Sequence, residues 1–443
     1  MAKLFAGARI RTLRRTAQLT QVEMARQLSL STSYLNQLEN DQRPLTATVL
    51  MTLTSKFDVE ASYFSPDSDA HSIADLQGLF PHVPAEQIND ICARYPDLVA
   101  EIIELTRSGT DDEQGPYEAV RDFFYDAHNY IDELDRMGEQ LAEKLGETQF
   151  RLARMAQILG SDANVSVRFR WHNTGPRRIF NPDTRELHLR TGLSDTQSLF
   201  EIALQYALLM HNDVLERIAQ TLPDEASRKV GRLGLAQYFA AATVLPYGQT
   251  LKIAEDYHYD IDRIAAHFGS GIEMTCHRLS TLQRPGQRAI PFFFIRTDRA
   301  GNISKRQSST SFHFARSGGS CPLWVIHRAF ETPGRFTRQV ATMPDGRSYL
   351  WIARTVHGAQ LGFGIPRKEF VVGLGCDLDQ AHRLVYSNGL DLSPESATPI
   401  GPGCTQCSRT NCPQRAFPQA RQPLVLNFDI SSEERYRTAQ SGD

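Results

Sequence analysis

Residues 19–40 read LTQVEMARQLSLSTSYLNQLEN, and this stretch predicts two short helices joined by a tight turn. Val22, Ala25 and Leu28 recur every three residues, as one apolar face of a short helix requires. Thr20 is the expected N-cap of that helix, and Glu23, three residues later, completes a capping box. The stretch therefore predicts a helix-turn-helix unit within residues 1–65.

The second helix carries the side chains that we expect to meet a partner. Leu35 and Leu38 are its inward positions, and the remaining short polar side chains face outward: Ser31, Thr32, Ser33, Asn36 and Gln37. Hydrogen-bonding side chains at the N-terminal end of a recognition helix suit base edges in the major groove of DNA. We expect Gln21 and Arg43 to contact the phosphates on either side.

The charge of this region agrees with double-stranded DNA as the partner. Residues 1–57 carry eight Lys or Arg against three acidic residues, a net +5, whereas the whole chain carries −3 and the remainder therefore −8. A basic module on a mildly acidic protein is typical of phosphate contact. The alternative is a small helical bundle that pairs with another protein.

The stretch resembles the helix-turn-helix domains of the Cro and phage-repressor class. It departs from that class at Ser29, where the turn usually has glycine. Because serine tolerates a positive φ poorly, we expect a slightly strained or wider turn.

Length and composition predict a multidomain α+β protein of the cytoplasm. A chain of 443 residues is too long for one core, and about three domains are expected. No apolar run approaches a membrane span and no signal peptide is recognisable, so no membrane partner is expected. Seven cysteines, three of them within nine residues, suit a reducing compartment and a metal site better than disulfides.

A connector over 66–116 and a long helix over 117–160 follow the first domain. In that helix the apolar residues fall on a seven-residue repeat, interrupted by Gly138 and Thr148. Such a repeat is typical of a helix that pairs with another helix, in a homodimer or a higher oligomer. The alternative is a long helix lying against its own domain.

Residues 161–286 read as a strand at 165–171, a hairpin at 178–189 and helices at 195–211, 225–244 and 271–284. This order resembles the IrrE/ImmA family, whose zincin-like fold places H-E-x-x-H on the helix after the hairpin. Here the matching positions hold Phe200 and Leu204, and Leu235 stands where that family has its third ligand. The resemblance therefore implies a degenerate peptidase domain without a catalytic residue, reused to bind something.

A phosphorylated ligand is the expected occupant of this domain. Arginine matches phosphate oxygens in a bidentate manner, and the candidate effector-binding residues are Arg168, Arg170, Tyr247, His277 and Arg278. The alternative for each arginine is that it is simply solvated.

Residues 287–431 predict a third, mixed α+β unit. A hairpin is expected over 292–306, with strands near 336–342, 348–357 and 368–374. Helices are expected to begin after Cys321-Pro322 and after Cys376.

A cysteine motif ends this unit. Cys404, Cys407 and Cys412 have the spacing C-x2-C-x4-C within a Gly/Pro loop, and Pro413 follows directly, as in small ferredoxin-type loops. A zinc ribbon usually has two separate C-x2-C knuckles instead.

A fourth ligand is needed if the loop holds a metal centre. Cys376 is preferred for this position because it is nearer in sequence, and Cys321 is its rival. Cys92 and Cys276 are expected to be buried small side chains. The alternative is three unrelated reduced thiols.

The whole chain resembles the short-chain fatty acyl-CoA regulators, a family of bacterial transcription factors. The resemblance rests on the N-terminal motif and on five further stretches: 245–247, 276–286, 301–307, 321–324 and 373–376, together with the terminal cysteine motif. It implies an acyl-CoA or CoA effector in the peptidase-like domain and a [4Fe–4S] cluster in the C-terminal unit. It also implies target genes of acyl-CoA consumption, more often activated than repressed.

Three functional hypotheses follow. The first is a ligand-sensing transcription factor that binds an inverted-repeat operator as a dimer. The second is a metallopeptidase that cleaves a repressor, against which the absent H-E-x-x-H argues. The third is a redox or iron sensor on DNA with a structural central domain.

Overall fold

The fold is known from a computed structural model. It describes residues 6–17, 19–57, 59, 64, 70–80, 83–96, 98–99, 101–103, 115–170, 174–308, 320–359, 362–410, 412–419, 424–425, 429 and 437–438. Residue 171, the last of the first predicted central strand, lies outside these ranges.

Four helices form the N-terminal domain: α1 (Gly7–Thr16), α2 (Gln21–Gln27), α3 (Thr32–Glu39) and α4 (Ala47–Phe57). The predicted capping box is confirmed, because the Glu23 backbone N–H donates to the Thr20 hydroxyl while the Glu23 carboxylate accepts from the Thr20 N–H. The four helices enclose a small core that includes Leu35, Leu38 and Leu53.

The predicted apolar face of α2 is wrong at one position. Met24, Ala25 and Leu28 are buried, whereas the side chain of Val22 is 54% exposed. With about 100° of rotation per residue, Val22 lies about 60° round the helix from Ala25, on the side away from Met24. Three-residue spacing alone does not fix where the buried arc is centred.

Two helices of the connector form a small core of their own. They are α5 (Ala70–Leu79) and α6 (Ala85–Arg94), and they contribute Leu76, Ile88 and Cys92 to it. The prediction that Cys92 is buried is confirmed.

The single long helix predicted over 117–160 is wrong. The chain forms three helices instead, α7 (Pro116–Asp126), α8 (Asp132–Leu145) and α9 (Arg151–Ala163), with a 3-10 turn at Thr148–Phe150. His128 and Asn129 have φ values of 50° and 57°, which end α7 and turn the chain.

The apolar repeat of this region is buried inside its own chain. This agrees with the alternative that the region lies against its own domain. Leu134, Leu141 and Leu159 lie in the main core. At Gly138 a Cβ would come within 2.7 Å of the Ala242 Cβ, so this glycine permits close helix packing rather than interrupting a dimer helix.

A three-stranded sheet and six helices form the central unit. The strands β1 (Ser166–Arg170), β2 (Arg178–Asn181) and β3 (Glu186–Arg190) have the order β1-β3-β2, with β1 parallel and β2 antiparallel to β3. The helices are α10 (Asp195–Met210), α11 (Asn212–Ala219), α12 (Glu225–Val244), α13 (Tyr247–Asp256), α14 (Ile261–Phe268) and α15 (Ile272–Leu279).

The C-terminal unit is built on a six-stranded sheet of order β5-β4-β8-β7-β6-β9. Its strands are β4 (Phe293–Thr297), β5 (Ile303–Ser308), β6 (Thr337–Thr342), β7 (Ser348–His357), β8 (Glu369–Asp377) and β9 (Thr398–Pro399). A short pair, β10 (Leu424–Val425) and β11 (Arg437–Thr438), lies further along the chain. The predicted hairpin and strands are confirmed.

The helices expected in this unit are only partly present. Four residues, Val325–Arg328, form α16 after Cys321. After Cys376 the strand continues to Asp377 and a 3-10 turn, Leu378–Arg383, follows in place of an α-helix.

One core joins the central and C-terminal units. It runs from Tyr130 to Tyr386 and includes Leu350 and Leu374 from one face of the six-stranded sheet. The boundary predicted at residues 286 and 287 therefore does not separate two cores. No helix within the described ranges is both long and apolar enough to cross a membrane.

Candidate DNA interface, effector site and metal centre

The recognition helix α3 presents the expected surface. Thr32, Ser33 and Asn36 are exposed and Gln37 is half-buried, while Leu35 and Leu38 face the core. The sequence therefore predicted correctly which side of α3 meets solvent.

Ser31 stabilises the start of this helix. It is the N-cap of α3, and its hydroxyl accepts a hydrogen bond from the Tyr34 backbone N–H at 3.1 Å. The turn before it is strained as expected, because Ser29 has a φ of 57°.

The two predicted phosphate contacts lie at the edges of this surface. Gln21 begins α2, and its Nε2 donates to Glu39 Oε2 at 2.7 Å. Arg43 is exposed beside the Tyr34 ring, with its guanidinium carbon 5.7 Å from the ring centroid. Their contacts with DNA stay predictions.

The former ligand positions of the peptidase-like domain are filled by apolar side chains. Leu204 and Leu235 are buried and Phe200 is half-buried. None of these side chains can coordinate a metal ion, because each lacks a donor atom.

Glu201, the acidic position between the former ligands, has an arginine partner. The Arg178 Nε lies 3.2 Å from Glu201 Oε2, and the Arg178 Nη1 donates to the Gln205 Oε1 one helical turn away. Burial raises the pKa of the Glu201 carboxyl, and the charges of Arg178, Arg177 and Arg190 act against that rise. The positive charge beside Glu201 is therefore an arginine, which cannot activate water as a zinc ion does.

The prediction that Arg278 binds the effector is wrong, because this residue is only 1% exposed and already forms an ion pair with Asp135. Its Nη1 donates to Asp135 Oδ2 at 2.6 Å and its Nε to the Leu245 carbonyl at 2.8 Å. Burial disfavours the guanidinium charge, but Asp135 outweighs it and raises the pKa of Arg278.

Tyr247 is buried, and His277 is half-buried with its ring 5.3 Å from that of Phe294. The buried Tyr247 hydroxyl donates to the Gln287 carbonyl at 2.7 Å and accepts from the Arg284 backbone N–H at 2.8 Å. Burial, followed by the charge of Lys305, lowers the pKa of His277 to about 3. His277 is therefore neutral near pH 7 and contributes no charge to a phosphate site.

Arg168 and Arg170 lie on the outer face of the three-stranded sheet. Arg170 pairs in register with Arg190 on β3, so both side chains leave the same face. The side chain of Arg168 is 63% exposed, and its Nε lies 3.6 Å from Glu186 Oε1.

Arg190 is a candidate that the sequence reading missed. Arg170 donates to the Pro176 carbonyl and Arg190 to the Gly175 carbonyl, so both are fixed against the turn before β2. Each also has a buried Nε that lacks a hydrogen-bond partner among the described residues. The signal was the strand alternation of 186–190, which places Arg190 beside Arg170 once β1 is paired with β3.

The prediction that Cys376 is the fourth ligand is wrong, because its side chain lies on the opposite face of the six-stranded sheet from the cysteine loop. Its side chain lies in the main core, fully buried, opposite Leu350 on β7. Its neighbours Gly373 and Gly375 face Trp351, and a Cβ at Gly375 would come within 2.7 Å of that ring. Alternate residues of a strand face opposite sides, so β8 itself separates Cys376 from the cysteine loop.

Cys321 lies on the same side of the six-stranded sheet as the cysteine loop. It packs in the second core together with Ile400, which precedes the loop. Burial raises the pKa of the Cys321 thiol, the backbone N–H groups of Leu323 and Gly401 lower it, and Cys407 and Cys412 are near enough to raise it further.

The cysteine loop is held by two arginines. Arg415 donates to the carbonyls of Cys404 at 3.0 Å and Cys407 at 3.2 Å. Arg409 donates to the carbonyls of Ile400 and Thr342, which fastens the loop to the edge of the sheet.

Sulfur and backbone are in close contact within this loop. A Cβ at Gly401 would lie 2.6 Å from Cys407 Sγ, and the Ala416 N–H donates to Cys404 Sγ at 3.5 Å. Burial raises the pKa of Cys407, while the Arg409 N–H and the charge of Arg415 lower it. Backbone N–H groups and guanidinium charge around cysteine sulfur are an environment that suits thiolates.

Within the described ranges, no three His, Cys, Asp or Glu side chains are grouped closely enough to hold one metal ion. A polynuclear cluster differs in this respect, because each thiolate bonds to a different iron atom. Thiolates are ligands of both iron–sulfur clusters and structural zinc, so the donor type fits either group.

Comparisons with known families divide the chain into three parts. Residues 6–61 match a helix-turn-helix domain, and residues 162–280 match the IrrE N-terminal-like domain. Residues 281–436 match the C-terminal domain of the short-chain fatty acyl coenzyme A regulators.

Relatives match over almost the whole chain. The HTH-type transcriptional regulator PrpR of Mycobacterium tuberculosis is 48% identical and covers 99% of this chain and 97% of its own length. RamB of the same species is 41% identical, with coverage of 99% and 100%. The propionyl-CoA carboxylase regulator of Cereibacter sphaeroides is 39% identical, with coverage of 96% and 97%.

A solved structure, described as a Mycobacterium tuberculosis transcriptional regulator, has the same fold. It is 48% identical, has a TM-score of 0.70, and covers 73% of this chain and 99% of its own.

Proposed function

The chain belongs to the short-chain fatty acyl-CoA regulator family and is a helix-turn-helix transcriptional regulator, and from this premise we propose that it controls genes of short-chain acyl-CoA metabolism in response to an acyl-CoA. The relatives are named as transcriptional regulators, in agreement with the predicted non-enzymatic role. One of them is named as a regulator of propionyl-CoA carboxylase, which points to propionyl-CoA as the first effector to test.

The proposal for DNA is that α3 reads an operator in the major groove. The observation that carries it is the exposure of Thr32, Ser33 and Asn36. Their helix is capped at its N-terminus, and its leucine side chains are buried. As a two-fold dimer, the protein would read an inverted repeat with half-sites one helical turn, about 34 Å, apart. Asn36→Ala is expected to relax base preference at one pair, at a cost of about 1–3 kcal/mol.

The effector proposal places the CoA phosphates on the outer face of the three-stranded sheet. Arg168, Arg170 and Arg190 share that face, and two of them have a buried Nε that lacks a partner among the described residues. A guanidinium binds phosphate oxygens in a bidentate manner, which would satisfy those donors. Arg278, in contrast, would lose two hydrogen bonds to the fully buried Asp135 carboxylate if it turned toward a ligand.

The cofactor proposal is a [4Fe–4S] cluster held by Cys321, Cys404, Cys407 and Cys412. The environment of Cys407 and the position of Cys321 support it. Such a cluster, when bound, supplies a redox-active centre. The residues of this chain would join the terminal loop to the segment before α16 and so brace the second core.

A redox or iron sensor on DNA is the second candidate function. The cysteine loop favours it, because Arg409 fastens the loop to β6 and β9 of the sheet whose other face belongs to the main core. A change at the loop could therefore reach the same core as the effector domain.

One assay separates the two functions. Operator binding by the anaerobic full-length protein is measured with and without propionyl-CoA, before and after iron is removed with a chelator. We expect propionyl-CoA to change operator affinity in both states. If only the loss of iron changes affinity, the effector proposal is wrong and the iron or redox sensor stands. Reporter transcription from the same operator then tests whether the regulator activates, as we propose, or represses.

A further inference from the structure

Glu39, the last residue of α3, is 2% exposed and receives hydrogen bonds from two other helices. From α1, the Arg14 Nε donates to Glu39 Oε1 at 2.6 Å and the Nη2 donates to Oε2 at 3.1 Å. From α2, the Gln21 Nε2 donates to Oε2 at 2.7 Å. A carboxylate on the recognition helix is thus fixed from both sides.

The carboxylate decides how the Gln21 amide is turned. A carboxylate can only accept hydrogen bonds, so the Gln21 atom beside Glu39 has to be its NH2 group. The same NH2 group lies 3.3 Å from Asn36 Oδ1, so the Asn36 atom facing inward has to be its oxygen.

A second chain of contacts reaches the same oxygen from the other side. The Asn40 Nδ2 donates to the Asn36 backbone carbonyl at 2.9 Å and to Asn36 Oδ1 at 3.0 Å. The Asn40 oxygen in turn accepts from Arg11 Nη2 at 2.7 Å. Two donors therefore hold Asn36 Oδ1 toward the protein, and its Nδ2 has no partner within the described ranges.

We propose that Glu39 is a positioning residue for base recognition, which fixes the Asn36 amide so that it offers only N–H donors to DNA. The partner would then be a major-groove acceptor, such as guanine O6 or N7 or thymine O4. The bidentate recognition of adenine by asparagine is not available in this arrangement, because it needs Oδ1 to face the base as well. This inference rests on the proposed reading of DNA by α3.

The test is Glu39→Gln in the full-length protein, with operator preference selected from randomised duplexes. The amide introduced by this substitution has to keep its oxygen at Arg14 Nε, so its NH2 group faces Gln21 and turns the Gln21 amide round. Asn36 then loses its single orientation. At the base pair whose preference disappears in Asn36→Ala, we expect Glu39→Gln to lose discrimination by about tenfold or more, with no loss of affinity for non-specific DNA.

Arg14→Lys is the matched control. It weakens the same buried pair but leaves the Glu39 bond to Gln21, so it should lower the melting temperature and keep the base preference. A Glu39→Gln protein with wild-type preference overturns the inference. So does an equal loss of preference in Arg14→Lys, because specificity would then simply follow stability.

Modified DNA keeps the inference testable even if Glu39→Gln does not fold. For the wild-type protein, base analogues that lack the major-groove acceptor at that pair should weaken binding by about tenfold, and analogues that lack the exocyclic amino group should not. The opposite pattern overturns donor-only reading while leaving DNA recognition by α3 intact. A wild-type protein without base preference at any pair defeats both proposals.

Discussion

Two helices of this protein are eight residues long and carry polar side chains that were predicted to contact a ligand, yet their surroundings differ. On α3, Thr32, Ser33 and Asn36 face solvent. On α15, Arg278 is fully buried against Asp135 and the pKa of His277 is lowered by burial. A surface helix is specified by residues near it in sequence, whereas the role of a buried helix is decided by partners far along the chain.

The six-stranded sheet extends this comparison to the cysteines, where the largest effect is expected. Cys321→Ser should lose most of the iron of the anaerobic protein, because Cys321 lies beside the loop. Cys376→Ser, on the opposite face, should keep it. Iron and sulfide analysis with visible absorbance checks both variants.

The reverse pattern would restore Cys376 as the fourth ligand. Stoichiometric zinc without sulfide in the wild-type protein would instead contradict the cluster and leave a structural metal site.

Removing the distant partner of α15 should cost the most folding stability. Asp135→Ala leaves Arg278 buried without its carboxylate, so the free energy of unfolding should fall by about 3–5 kcal/mol. The matched control on the same helix is Glu133→Ala, whose exposed pair with Arg217 should change the free energy of unfolding little. Denaturant unfolding measures both, and equal losses would show that burial does not distinguish the two pairs.

Folding stability should depend on pH through His277 on α15. Its pKa is about 3 in the folded protein, against the ordinary value of 6.5 in the unfolded chain, so its contribution to stability is complete above about pH 6.5 and is lost as the pH falls toward 3. Between pH 7 and pH 5 this amounts to about 2 kcal/mol. Between pH 7 and pH 5 the free energy of unfolding of His277→Gln should therefore fall by about 2 kcal/mol less than that of the wild type. Denaturant unfolding at both pH values measures this difference. Identical slopes in both proteins would mean that folding does not lower the pKa of His277.

The smallest effect is expected in the N-terminal domain. Thr20→Ala removes the hydroxyl that caps α2 and should lower the free energy of unfolding of this domain by about 1 kcal/mol. The exposed Thr48→Ala is the control and should change stability little. A loss as large as that of Asp135→Ala would show that local capping alone does not explain this domain.

The same contrast explains which features could be predicted from the sequence. Capping at Thr20, the outward side of α3 and the hairpin of β2 and β3 depend on neighbouring residues, and they were found. The pairing of Arg278 with Asp135 joins positions 143 residues apart, and nothing local announces it.

The break between α7 and α8 and the direction of Cys376 were missed for a related reason. His128 and Asn129 adopt positive φ, but no glycine or proline marked the break. Cys376 was chosen by sequence distance, whereas the alternation of β8 decides which face it occupies. Both depend on how the segment is packed.

Calorimetry can establish whether the peptidase-like domain senses an acyl-CoA through a phosphate site on the outer face of its sheet. Propionyl-CoA and free CoA are titrated into the wild-type protein and into the double variant Arg170→Ala, Arg190→Ala. We expect binding heat for the wild type and affinity at least about tenfold weaker for the double variant, since two charge-assisted contacts are lost. No heat from either compound with the wild-type protein would contradict it.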